Sequence, residues 1–116
     1  MTITRIDPGK RFAAAVRHNG TLYLAGQTAD DESASIEEQT KQVLAKIDAL
    51  LAKGGSSKAR LISINVYLSS IADFSAMNGV YDAWLDTANM PTRATVEARL
   101  ATPNLRVEMT AIAAID

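Results

Sequence analysis

Arg93 and Glu108 are the residues of this chain whose types and setting best suit chemistry. Arg93 follows Pro91-Thr92 at the start of an alternating run, Ala94-Thr95-Val96-Glu97. A second alternating run follows, Leu105-Arg106-Val107-Glu108-Met109-Thr110-Ala111, after the turn-rich break Ala101-Thr102-Pro103-Asn104. Two such runs around a loop predict an antiparallel hairpin. With Glu97 opposite Asn104, the same register sets Thr95 opposite Arg106 and Arg93 opposite Glu108. Directly opposed residues share a sheet face, so guanidinium and carboxylate are expected to converge. A guanidinium fork there takes a small carboxylate in bidentate fashion while Glu108 handles a proton or a water. The alternative is that the two neutralise each other as a buried pair.

Other candidates are weaker. Asn78 stands at a polar position of a predicted helix, facing either solvent or a cleft. His18 falls in a predicted turn. Thr21, Thr28, Ser63 and Thr95 have no histidine base in any plausible register, which argues against a Ser-His-Asp device. Gly26-Gln27 is not a phosphate-cradling loop, and Asp30, Asp31 and Glu32 read as a solvated loop run without EF-hand spacing. The chain has no cysteine and one histidine, so thiolate sites and multi-histidine metal centres are excluded.

These residues need elements to hold them. Residues 1–7 predict a short edge strand ending at Asp7-Pro8-Gly9. Residues 11–18 and 21–26 predict a hairpin around Asn19-Gly20, the strongest short hairpin signal in the chain. Ser35 with Glu38 three residues on marks a helix start. Ile36, Val43, Leu44, Ile47, Leu50 and Leu51 mark that helix's apolar stripe, and Gly54-Gly55 its end. Leu61 to Leu68 predicts a strand with Ile62, Ile64, Val66 and Leu68 on one side. Ser69 or Ser70 caps a second helix with Phe74, Met77, Tyr81, Trp84 and Leu85 as its apolar row.

The order ββ-α-β-α-ββ predicts an α+β fold: one mixed sheet with two helices on a single face. A chain of 116 residues suits one domain, 1–116. The other sheet face carries Ala, Val, Thr and Met with no third layer to cover it, so a homo-oligomer is expected, with ligand clefts between subunits. An apolar fraction of 47%, 22% charged residues and a net charge of −1 are those of an ordinary soluble protein without a nucleic-acid footprint. No signal peptide or membrane-spanning run is apparent, and a cytoplasmic location is the default expectation.

Four segments resemble the Rid family, the reactive intermediate deaminases also called the YjgF family. They are Asn19 to Gln27, Asp73 to Asn78, Pro91 to Glu97 and Arg106 to Ala114. The resemblance implies a chorismate-mutase-like trimer with three inter-subunit clefts. It also implies hydrolysis of 2-imino or enamino acids to 2-keto acids and ammonia, without metal or organic cofactor. Arg93 then matches the arginine that holds the substrate carboxylate and Glu108 the glutamate that positions water. Gly26 and Thr95 match cleft positions, and Asn78 matches a helix residue near the site.

Two positions depart from the family pattern. A tyrosine near the start and a serine before Gly-Gln are replaced by Phe12 and Ala25. Two hydroxyl partners are lost, each worth ~1 kcal/mol. This points away from small aminoacrylate-type substrates and toward a larger or more apolar imine. The alternative is a trimer that binds a small carboxylate-bearing metabolite without turning it over.

Overall fold

The computed structural model describes residues 2–116. Its elements are β1 (Thr4–Pro8), β2 (Ala13–His18), β3 (Thr21–Thr28), α1 (Ile36–Lys53), β4 (Leu61–Leu68), α2 (Phe74–Trp84), β5 (Thr92–Glu97) and β6 (Val107–Ala114). Short 3-10 turns, Lys58–Arg60 and Ile71–Asp73, lead into β4 and α2.

Local chemistry explains the element boundaries. Asn19 and Gly20 take φ values of 53° and 78°, the left-handed pair that a tight β2–β3 turn requires. The Ser35 hydroxyl accepts from the Glu38 N–H at 3.1 Å and caps α1, satisfying one of the orphan donors of its first turn. Gly54 caps the other end, and Gly55 follows at φ 83°. Ser70 caps the 3-10 turn ahead of α2 rather than α2 itself.

The six strands form one sheet in the order β1-β2-β3-β6-β4-β5. Strands β4 and β5 are parallel, joined through α2, and the other neighbours are antiparallel. The expected β5–β6 hairpin is therefore absent, because β4 lies between the two strands. Neighbouring strands stand ~4.8 Å apart, so residues 98–106 need only step over one strand to reach β6. Leu61, Ile64, Val66 and Leu68 of β4 are buried, which suits an interior position between β6 and β5, where both of its edges are hydrogen-bonded.

One further expectation fails on β4. The pairing with β6 slips between Leu61 and Ser63. Leu61 thus joins the core, and Ile62 is left 48% exposed.

Side-chain parity divides the sheet. Ala15, Leu22, Leu24, Ile64, Val66, Leu68, Val107, Met109, Ala111 and Ala113 are buried in the core shared with Val43, Leu44, Ile47 and Leu51 of α1 and Met77 and Tyr81 of α2. The other face has no covering layer and leaves Tyr23 and Val96 nearly half exposed. Gln39 of α1, fully buried, ties loops to this frame. Its amide donates to the carbonyls of Ala34 and Asn104 and accepts from the Arg106 N–H. No helix among the described residues is long and apolar enough to cross a membrane.

Candidate active site

Arg93 lies on the helix-covered face at the β5 edge. It is level with Ile64, which pairs with Ala111, both buried. Its guanidinium Nη1 donates to Asn78 Oδ1 at 2.8 Å. The guanidinium carbon stands 4.7 Å from the centre of the Tyr81 ring and 5.8 Å from that of Phe74. Phe74, Asn78 and Tyr81 recur at i, i+4 and i+7, so one stripe of α2 grips the cation. No carboxylate among the described residues lies within ion-pair distance of Arg93. Burial pushes the Tyr81 hydroxyl above its ordinary range; Arg93 pulls against this and Asp82 adds to it. The ring under the guanidinium therefore stays a neutral phenol, the form that offers a π face without an ion pair.

Glu108 occupies the other face. It pairs with Tyr67 and Thr28, and Tyr67 with Val96. Its neighbours in sequence, Val107 and Met109, point into the core. The carboxylate lies against Gly26, where β3 slips register between Leu24 and Gln27. A Cβ on Gly26 would meet Glu108 Cδ at 3.0 Å, with a carboxylate oxygen closer still, so a side chain here would push the carboxylate out of this position. No Lys or Arg among the described residues forms an ion pair with Glu108. With Tyr67, Thr110 and the loop residues Ala98 to Ala101, it lines a cavity of about 260 Å³. A larger cavity, about 680 Å³, flanks the same loop and includes neither Arg93 nor Glu108.

The predicted residues thus fall into two groups rather than one. Arg93 and Asn78 touch, and Thr95, level with buried Val66, shares their face; its hydroxyl is buried without a partner. Gly26 and Glu108 touch, with Ala25 beside them at the β3 bulge. Phe12 stands on the turn before β2 and is 68% exposed. Opposition of Arg93 to Glu108 is the expectation that the sheet overturns: the residues lie on different faces of strands separated by β4. Thr95 likewise does not face Arg106, which instead binds Asp73 at 3.0 Å, nor does Glu97 face Asn104. Phe74 and Tyr81, expected only as core, are the contacts sequence reasoning missed. Their spacing around Asn78 was the available signal.

A mixed sheet backed by two helices, with an arginine and a glutamate on opposite faces and no ion pair to either, defines the architectural class. The family model for Endoribonuclease L-PSP matches residues 2–115, and the chain belongs to this family, also called the YjgF/Rid family. A RutC family protein of Haemophilus ducreyi is 46% identical, the match covering 98% of this chain and 97% of that protein. The RutC family protein YoaB of Escherichia coli is 42% identical over 99% of this chain and all of its own. Among solved structures, a YjgF-family protein from Neisseria meningitidis superposes with a TM-score of 0.97 at 40% identity, covering 100% of this chain and 97% of its own. A Rid-family protein from Yersinia pestis superposes at 0.90 with 28% identity, covering 98% of this chain and all of its own.

Proposed function

We propose that this protein hydrolyses 2-imino and enamino acids to 2-keto acids and ammonia in clefts between the subunits of a homotrimer. The observation that carries the reading is the pair of uncommitted charges on opposite sheet faces. Arg93 and Glu108 cannot address one small ligand within a subunit. They can do so where the β5 edge of one copy meets the open face of another. That face suits burial against a copy: Tyr23, Ala94, Val96 and Ile112 share it by register. Family membership supports three copies rather than two.

In such a cleft Arg93 holds the substrate carboxylate, its geometry set in advance by Asn78 and the two rings. Glu108 takes a proton from water as the oxygen adds to the C=N carbon and passes it to the nitrogen. It then moves the proton of the new hydroxyl to the nitrogen as the C–N bond breaks and ammonia leaves. The imine bond is replaced by C=O, and one water is consumed for each ammonia released. Imines already hydrolyse in water, so positioning and proton transfer suffice.

The test is keto-acid release from enzymatically generated imino acids, comparing wild type with Arg93→Ala and Glu108→Gln. Acceleration over the spontaneous rate is expected in wild type, falling by about 10²–10⁴-fold in Glu108→Gln and vanishing in Arg93→Ala. No acceleration by a folded wild-type assembly would overturn the enzyme reading. Keto-acid binding that still requires Arg93 would then identify a non-catalytic carboxylate binder.

A further inference from the structure

We infer that Arg99 is a specificity residue that reads a second acidic group, so that the preferred substrates are dicarboxylic imino acids. This rests on the proposed deaminase site and names its substrate class. Arg99 shares the 260 Å³ cavity with Glu108, Tyr67 and Thr110 and is the one cationic side chain on its wall. It makes no ion pair with any carboxylate among the described residues, Glu108 included. Glu97, the nearest acid in sequence, sits on the helix-covered face and accepts from the Ile71 N–H at 2.9 Å. Arg99 thus makes no ion pair; it lines the cavity that holds Glu108 and also the larger neighbouring one that holds Glu97.

The loop that carries Arg99 is fixed at both ends. The Ala98 N–H donates to Leu68 C=O at 2.9 Å, and Gln39 holds Asn104 C=O at 3.0 Å. Thr102 is tied to the Glu32 carboxylate. Arg99 is therefore presented from a braced backbone, and its own exposure leaves the side chain free to reach a ligand.

Glu108 must face the imine carbon, and Arg93 of a neighbouring copy must hold the α-carboxylate. The substrate's remaining substituent then extends along the cavity wall past Tyr67 and Thr110. An aliphatic side chain would leave Arg99 desolvated without a partner, whereas a terminal carboxylate would accept a charge-assisted hydrogen bond.

The experiment measures binding, so that it does not depend on turnover. Titration calorimetry compares 2-oxoglutarate with 2-oxobutyrate on the assembled wild type, Arg99→Ala, Arg99→Glu and Arg93→Ala. Wild type is expected to favour the diacid by about tenfold or more. That ratio should collapse toward one in Arg99→Ala and invert in Arg99→Glu. A wild type without preference, or an Arg99→Ala protein that keeps it, would overturn the assignment. Arg93→Ala separates the two levels. If it abolishes binding while Arg99→Ala leaves the ratio unaltered, only the role of Arg99 fails. If both ligands bind Arg93→Ala as they bind wild type, the underlying site is wrong.

Discussion

The two faces of this sheet are built by the same strands, yet they treat polar groups in opposite ways. On the helix-covered face the charges at the β5 edge are held: Arg93 by Asn78 and two rings, Glu97 by the Ile71 amide. On the open face Glu108 is positioned by sterics alone, against a glycine that cedes it space. Under the proposed function, the difference suits each face to its part in the reaction. A cation that must grip a ligand in one geometry gains from a rigid cradle that spends none of its ion-pairing capacity. A carboxylate that moves protons gains from having no fixed cationic partner.

The comparison is tested most severely at the core. Leu68 is fully buried against the helices, and Leu68→Ala should cost about 2–5 kcal/mol of stability in urea unfolding. A cost comparable to that of a surface truncation would mean that the helix layer is not the principal core.

The open face is broken differently. Tyr23→Lys adds a charge where the side chain is 45% exposed in one subunit, so the fold should survive with unchanged circular dichroism. Light scattering should register a fall from three chains to one, and keto-acid release should fall with it. Retention of the full assembly would show that this face is not where copies meet.

The cradle is sharpened by Asn78→Ala, which removes the amide that orients Arg93. Losing one such hydrogen bond should weaken substrate capture by ~1 kcal/mol. The expected signature is a raised KM with kcat less affected, since proton transfer at Glu108 is untouched. An equal loss in both would place Asn78 nearer the reacting atoms.

The smallest effect concerns Tyr81. Its hydroxyl titrates above the ordinary value of 10.0 in the folded chain because of burial. The folded state therefore holds this proton more tightly than the unfolded state does. Its stabilising contribution is complete below 10.0 and is lost as pH rises through the folded value. Melting temperature should decline more steeply above pH 10.0 in wild type than in Tyr81→Phe. Parallel declines would show that the phenol is not the group responsible.

Much of this contrast was legible residue by residue. Alternation put Val107 and Met109 on one side and Glu108 on the other, which is what the sheet displays. Arg93 was singled out, but with Glu108 as its facing partner, and the sheet sets the two on different faces. Its cradle was only half visible, because Phe74 and Tyr81 serve the apolar row of α2 and the guanidinium at once. A helical stripe looks the same whether or not a cation lies across it.

The chain's own chemistry determined its turns and caps: Asn19-Gly20, Ser35 with Glu38, Gly54-Gly55. Each depends on contacts within a few residues, and local backbone energetics settle it in any context. Only the tertiary structure decided that β4 enters between β5 and β6, separating two strands that adjoin in sequence. Strand pairing is non-local, and the choice turned on which strand could be buried on both edges while α2 crossed over it. That one insertion moved Arg93 and Glu108 from a shared hairpin face to opposite faces of the sheet.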